Sequence, residues 1–494
     1  MIALSALLLS HASLGDRGVD SSALREAVTQ QAMMTHITAM ASFTEAGGDS
    51  RESSAAAYYD TAEYIAQLAS SAGFETELQE FDYPFFDVES AELARTTPNP
   101  ISFTYRGTGD NGFFAATYSG AGATQAPVVA IGLEYPIHPN QDSTSGCVAG
   151  DFDDFQHGAI ALLQRGGCSF NTKARLAEAA GAAGVVIFNS GNGRSEAFSG
   201  TLGAPGIGIP VVTTAFAVGE ALASENTVAW LGVDAESGIR TSINLIADSP
   251  GGRDDRTVVA GAHLDSVNGV PGIQDNGSGS MALLEIALQM HALEIAPRNR
   301  VRFIWFGAEE YGAFGSRHYV GTLSKRELKD IALYLNFDMI ASPNYAVFVY
   351  DGDASDGGIG APNGSGQIER VFLDYFSALH IKAEPALLEG RSDYVSFTPK
   401  GIPIGGLFTG AEDLKTPAHA SQFGGTEGLA YDPCYHLACD TLANVNPEAL
   451  GLMADAAAHA ILTFAMTRSA VKGSARANQR AHNALTYAPE VPEQ

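Results

Sequence analysis

TVVAGAHLDSVNGVPGIQDNGSGSMALLEIALQMHALEIAPRNRVRFIWFGAEE, residues 257 to 310, holds two apolar runs separated by a helix-like stretch. TVVAGA reads as a strand ending at His263, MALLEIALQMHAL as a helix, and VRFIWFG as a second strand. Strand, helix and strand in that order form the crossover unit of a parallel sheet. The alternation continues with a helix around SRHYVGTLS, strands at YLNFDMI and YAVFVYD, helices over 366 to 380 and 448 to 466, and the buried strand GIPIGGLF between those helices. The expected class is α/β, with three α/β/α layers around a mostly parallel mixed sheet. In such sheets functional groups collect beyond the carboxyl ends of the strands. The polar residues that follow each strand are therefore the ones to weigh.

Upstream, SSAAAYYDTAEYIAQLASSA (53 to 72) places Ala57, Thr61, Ile65 and Leu68 at helical spacing, with Gly73 at the stop. FETELQEFDY follows as a half-buried strand in which Phe74, Thr76 and Leu78 alternate with polar neighbours. Between 116 and 235 the texture changes to short apolar runs (APVVAIGL, GAIALLQ, GVVIFN, GIPVVTT) parted by Gly, Asn, Asp and Ser, the mark of a separate β-rich module. Residues 20 to 115 and 236 to 470 then belong to the main domain. The polar stretch 471 to 494 is a C-terminal extension, and no repeat of fixed period occurs.

The chain has 494 residues, 45% of them hydrophobic, enough for a large core. Its 56 acidic and 28 basic residues leave a net charge of −28, which would repel nucleic acid and anionic membranes. MIALSALLLSHASLG, residues 1 to 15, resembles the end of a secretory signal that lacks its basic start; an ordinary buried segment is the alternative. No later stretch offers 18 consecutive apolar residues for a membrane span. The four cysteines, Cys147, Cys168, Cys434 and Cys439, fall into two local groups. Two disulfides are the simplest account, while a four-cysteine zinc site would have unusual spacings. A secreted or periplasmic location agrees with disulfides and with a signal-like start.

Strand ends and loops carry the candidate chemistry. His263 and Asp265 close the first strand, and Asp275 lies in the Gly-rich turn before the helix. Glu309 and Glu310 follow the next strand, Asp338 the one after, and His436 sits in DPCYHLACD. Singly, each has an ordinary explanation: a core histidine, a helix cap, a turn carboxylate, a solvated pair. Together, histidine and carboxylate donors in this order are the ligand types of a zinc site with nitrogen and oxygen donors.

HLDSVNGVPGIQDNGSGS, WFGAEEYGAFGS, YLNFDMIASPN, GRSDYVSF and DPCYHLACD resemble, in order, the site motifs of the dizinc aminopeptidases of metallopeptidase family 28, above all the secreted bacterial leucine-type enzymes. GGCSFNTKARLAEAAGAAGVVIFNS, residues 166 to 190, is similar to the hallmark of the protease-associated (PA) domain, an accessory insert without chemistry of its own. The resemblance implies a zinc-peptidase fold of the phosphorylase/hydrolase-like type. It also implies two zinc ions per chain, one on His263 and Asp338, the other on Glu310 and His436, with Asp275 bridging. Glu309 would be the general base, and Tyr435 and Arg391 would face the substrate carbonyl or the tetrahedral intermediate. Asp265 would accept a hydrogen bond from the free nitrogen of His263. Met339, Gly390 and Phe408 match positions lining a pocket for Leu-like side chains.

The same resemblance implies a cis peptide between Asp275 and Asn276, and the Asn276-Gly-Ser sequon, lying in a metal-site turn, would be inaccessible to glycosylation. Cys147 would pair with Cys168 inside the PA module, and a Cys434–Cys439 bridge would hold His436 and Tyr435. The expected partners are peptides with a free N-terminus, acted on by a monomer; a calcium requirement stays open, with Ca2+ a further candidate ion. The competing readings are a glutamate-carboxypeptidase-like dizinc peptidase, a non-catalytic binding protein on the same scaffold, and glutaminyl cyclase chemistry. The complete ligand set and the form of DPCYHLACD and GRSDY favour the aminopeptidase.

Overall fold

The computed structural model describes residues 19 to 134, 142 to 358, 360 to 468 and 471. The signal-like stretch lies outside the described residues, as does all of the C-terminal extension except Val471. The chain divides into two compact units. One takes the residues up to Phe81 and resumes at Ile243; the other runs from Asp82 to Ser242.

After a short helix at Ser22–Ala27 come helices α1 (Gln30–Ala46) and α2 (Ala56–Ser71). The Thr29 hydroxyl accepts the Ala32 N–H to cap α1. Helix α2 buries Ala57, Thr61 and Ile65 on the expected face, and Gly73 takes φ +78° just beyond it. Strand β1 (Glu75–Thr97) is far longer than the ten residues its alternation marks. That alternation also shifts, since Leu78 is 55% exposed whereas Phe81, Tyr83 and Phe85 are buried. A shift of one position turns every later side chain to the other face. The shift brings Gln79 round to accept a hydrogen bond from Asn244 Nδ2 at 3.0 Å.

In the second unit, β2 (Gly122–Ala130), β3 (Ile160–Gln164), β4 (Gly184–Phe188) and β5 (Val211–Thr214) lie side by side and parallel. Helix α3 (Phe170–Ala179), capped by Ser169, connects β3 to β4. Strands β3 and β4 are buried on both faces: Ile160, Leu162, Val186 and Phe188 enter one core, and Ala161, Leu163, Val185 and Ile187 the other. Burial on both faces explains why these strands read as unbroken apolar runs. Cys147 and Cys168 form a disulfide here. Strand β6 (Val228–Asp248) follows, and its last residues belong to the first unit.

The first unit is built on β7 (Arg253–His263), α4 (Gly277–Ala292), β8 (Asn299–Phe306), α5 (Phe314–Thr322), β9 (Ile331–Phe337), β10 (Phe348–Tyr350), α6 (Ser365–Ala378), β11 (Glu384–Ala386), β12 (Ile404–Phe408) and α7 (Pro447–Met466). Its strands run in the order β11-β10-β12-β9-β7-β8-β6. Central β7 is parallel to both β8 and β9, and β12 is parallel to β9, whereas β6 and β10 pair antiparallel with β8 and β12. Alternate residues feed two cores. Val258, Ala260, Phe303 and Trp305 pack with α1, α2, α4, α6 and α7, while Val259, Ile304 and Phe306 pack with Tyr319 of α5 and Phe397. The outcome is the expected three-layer mixed sheet. Helix α7 is long and apolar enough to cross a membrane, but most of it is buried in this core.

Candidate metal centre

Because β7, β8 and β9 are parallel, His263, the Glu309–Glu310 turn and Asp338 emerge at the same sheet edge. Asp275 is brought to that edge by the start of α4. Asn276 caps the helix by accepting the Gly279 N–H, and its side-chain amide donates to the Phe337 carbonyl at the end of β9 (2.9 Å). A Cβ at Gly279 would stand 2.3 Å from that carbonyl oxygen, so the close approach of helix to strand requires glycine. The Asp275–Asn276 peptide is cis, and Asn276 is fully buried, which leaves the sequon inaccessible.

Two donor groups result. His263 Nε2 lies 3.3 Å from Asp275 Oδ1 and 3.2 Å from Asp338 Oδ1. His436 Nε2 lies 3.4 Å from Asp275 Oδ2 and 3.0 Å from Glu310 Oε2. Asp275 thus gives one oxygen to each group. Donors about 2.0 Å from a tetrahedral zinc stand roughly 3.3 Å from one another, so these separations and the nitrogen–oxygen donor set fit zinc.

The electrostatics point the same way. Burial opposes charge on His263, yet Asp338, Asp265 and Asp275 hold its pKa well above the usual imidazole value. Burial also opposes charge on His436, but Glu310 and Asp275 push it up to about 11. Asp275 is driven below the ordinary carboxylate range against its own burial by the two imidazoles. A cluster that draws this much positive charge onto its histidines suits a cation. Glu309 belongs to neither donor group; burial, then the charges of Asp393, Glu310 and Asp338, raise its pKa well above normal despite His263.

Asp265 is placed differently from the expectation. The His263 Nδ1 lies nearer the Asp265 backbone carbonyl (3.1 Å) than its carboxylate (3.7 Å). The carboxylate is occupied instead by the amides of Glu309 (3.1 Å) and Glu310 (3.3 Å). These two amides follow Ala308, which has φ +52°.

Arg391 Nη2 donates to Tyr435 Oη at 3.2 Å, and the Tyr435 ring stacks on His436 at 3.8 Å. Cys434 and Cys439 are bonded across this loop. Met339 directly follows Asp338 and is buried, with its N–H on Asn276 Oδ1. Gly390 precedes Arg391 with φ +86°, and Phe408 ends β12 with its ring 6.0 Å from that of Phe348. All three therefore lie at the same edge as the donors.

Several contributors escaped sequence reasoning. Asp440 accepts the N–H groups of Gln274 (2.9 Å) and Asp275 (3.0 Å), and burial pushes its carboxyl up to about 7. Ser392 donates to Asp338 Oδ2 at 2.6 Å, and Glu412 pairs with Arg391 at 2.8 Å. Arg51 is fully buried beneath the His263–Asp275 loop. Asp440 and Ser392 lie within motifs quoted above; Arg51 has no local pattern that would mark it. A third carboxylate group, Asp351, Asp353 and Glu369, receives backbone N–H groups from Gly352, Ser355 and Asp356, which accounts for its compactness.

Comparison with known proteins bears on this geometry. Residues 244 to 461 match the model of Peptidase family M28, and residues 124 to 222 match that of the PA domain. The aminopeptidase of Pseudomonas aeruginosa is 41% identical over 440 residues, 86% of this chain and 79% of that protein. The probable leucine aminopeptidase 2 of Aspergillus fumigatus is 42% identical over 328 residues, 65% of this chain and 64% of that protein. Among solved structures, the aminopeptidase from Aneurinibacillus sp. strain AM-1 aligns with TM-score 0.65 at 26% identity, covering 92% of this chain and 98% of that one. The zinc aminopeptidase BSAP of Bacillus subtilis aligns with TM-score 0.55 at 25% identity, covering 88% and 94%.

Proposed function

The chain belongs to peptidase family M28 and is a zinc aminopeptidase carrying a PA domain, and we propose that it acts outside the cytoplasm, with two zinc ions, on peptides whose first residue is Leu-like. The observation that carries the two-metal reading is Asp275, whose two oxygens face different histidines. His263 and Asp338 would hold one ion, Glu310 and His436 the other, and Asp275 both. Two bound zinc ions would supply the Lewis acidity that lowers the pKa of water and stabilises negative charge developing in the transition state.

The remaining steps belong to side chains. Glu309, outside both donor groups, takes the proton from the attacking water and returns it to the leaving amine. Tyr435 and Arg391 donate toward the oxygen on which negative charge develops. The two disulfides support an oxidising location, and Met339, Gly390 and Phe408 would form the apolar side-chain pocket. The name of the Aspergillus relative supports the Leu preference. The PA module is assigned to 116 to 235, and a monomer is the proposed state.

The test is a panel of aminoacyl nitroanilides beside their N-blocked counterparts, with zinc measured on the same preparation. We expect Leu to be released fastest, blocked substrates to be inert, and two zinc ions per chain. Cleavage of blocked substrates alone would sink the assignment.

A further inference from the structure

We infer that the buried segment Ser50–Ser53, with Arg51 as its principal residue, is a positioning element that sets both halves of the metal centre; the inference rests on the two-metal reading above. The segment precedes α2 and lies outside the residues that match the family model. Ser50, Arg51, Glu52 and Ser53 are all buried, Arg51 and Ser53 completely.

The bonds of this segment converge on two stretches of chain. Arg51 donates through Nε to the Leu264 carbonyl (2.6 Å), through Nη1 to that of Pro271 (2.8 Å), and through Nη2 to that of Gly272 (2.6 Å). Its backbone exchanges bonds with Ser266, which accepts the Arg51 N–H at Oγ (3.0 Å) and donates its own N–H to the Arg51 carbonyl (3.1 Å). Ser50 Oγ accepts the Gly269 N–H at 3.1 Å. The loop from 264 to 272 is the connection between His263 and Asp275, and Arg51 grips it at both ends. Two residues on, Ser53 Oγ accepts the Ala308 N–H at 2.7 Å, immediately before Glu309 and Glu310. Three residues of the segment, Ser50, Arg51 and Ser53, therefore fix the backbone around His263, Asp275, Glu309 and Glu310.

The choice of arginine has a physical reason. A planar fork of five donors can meet three carbonyls that diverge around it, whereas an ammonium is a single point. A buried cation without a hydrogen-bonded carboxylate would be costly in isolation. Here the charges of Asp440, Asp265, Asp275 and Glu310 offset that cost, and the side chain stays charged at neutral pH although burial lowers its pKa to about 10. Arg51 thus adds a fixed positive charge while leaving the carboxylate oxygens free for metal.

Zinc release into a competing chelator, and unfolding midpoints with and without zinc, would be measured on the full chain as wild type, Arg51→Lys and Ser53→Ala. We expect zinc affinity to fall by about 10- to 100-fold in Arg51→Lys, the usual effect of removing a residue that orients ligands, and by about tenfold in Ser53→Ala. The gap between zinc-loaded and zinc-free midpoints should narrow in both. A residue that only supports the fold would lower the two midpoints together and leave the affinity unchanged, which would overturn the inference. Should Arg51→Lys not fold, Ser53→Ala decides alone. A wild-type chain that holds fewer than two zinc ions would instead overturn the two-metal reading and the inference with it.

Discussion

Glu309 and Glu310 are neighbours whose amides share one anchor, the Asp265 carboxylate, while their side chains part company. Glu310 reaches His436, whereas Glu309 joins neither donor group. The two substitutions should therefore fail differently. Glu309→Gln keeps the shape but cannot accept a proton, so both zinc ions are retained and kcat falls by about 10²- to 10⁴-fold. Glu310→Gln leaves one zinc site with only the shared Asp275 carboxylate as an anionic donor, and elemental analysis should find about one zinc per chain. A fully active Glu309→Gln would remove that residue from the mechanism. At this scale the residues of both donor groups were legible in the sequence, because donor type and order along the chain are local facts. The exact partner of a side chain is not. Asp265 stood in the right motif and lies 3.7 Å from the His263 ring, but nothing in HLD says that two later amides would hydrogen-bond to its carboxylate. Arg51 was invisible for the same reason: its acceptors are backbone carbonyls more than 200 residues away.

The elements explain how dispersed residues come to rest within a few ångströms. Parallel β7, β8 and β9 set their carboxyl ends at one edge, and their presence was legible because buried parallel strands leave continuous apolar runs. Strand β1 was poorly legible, because its inward phase shifts near Leu78 and periodicity presumes a constant phase. The His436 loop is held twice. The Cys434–Cys439 bridge spans a sequence separation of 5, and Asp440, the next residue, ties the loop to the Gln274 and Asp275 amides. So short a closure restricts the unfolded chain by only about 2 kcal/mol. Replacing both cysteines by serine should lower the unfolding midpoint by a few degrees, yet reduce kcat/KM on the order of tenfold to a hundredfold by loosening His436 and Tyr435. An unchanged kcat/KM would show that Asp440 suffices.

Helix α3 offers a test in the other unit. Its Lys173 is fully buried, with the ammonium on the Ser145 carbonyl and 3.5 Å from Cys147 Sγ. Burial lowers its pKa from 10.5 to about 8, against the pull of Asp151 and Glu134. Between these values the unfolded chain holds the proton and the folded chain does not, so stability should rise with pH across that window, by about 3 kcal/mol in all. Urea unfolding from pH 8 to 10.5 should show the rise in wild type and lose it in Lys173→Met; an identical slope in both would refute the assignment.

At the scale of the whole molecule the governing fact is charge. With 56 acidic and 28 basic residues, the net −28 creates a field extending well beyond any one contact. The field does not determine the fold, but it acts on every charged substrate that approaches. Acidic peptides must approach against repulsion, whereas basic ones are drawn in, and long-range steering of this kind appears in kcat/KM more than in kcat. Two peptides that share an N-terminal Leu, one continued by lysines and one by aspartates, present the same residue to the pocket and differ mainly in this field. At low ionic strength the lysine peptide should have the higher kcat/KM, by about tenfold or more. Raising the salt to physiological strength shortens the screening length to about 8 Å, and the ratio should shrink because the acidic peptide gains and the basic one loses. A ratio that ignores salt would place the discrimination in contacts near the site, such as the Arg391–Glu412 pair, and not in the charge of the molecule as a whole.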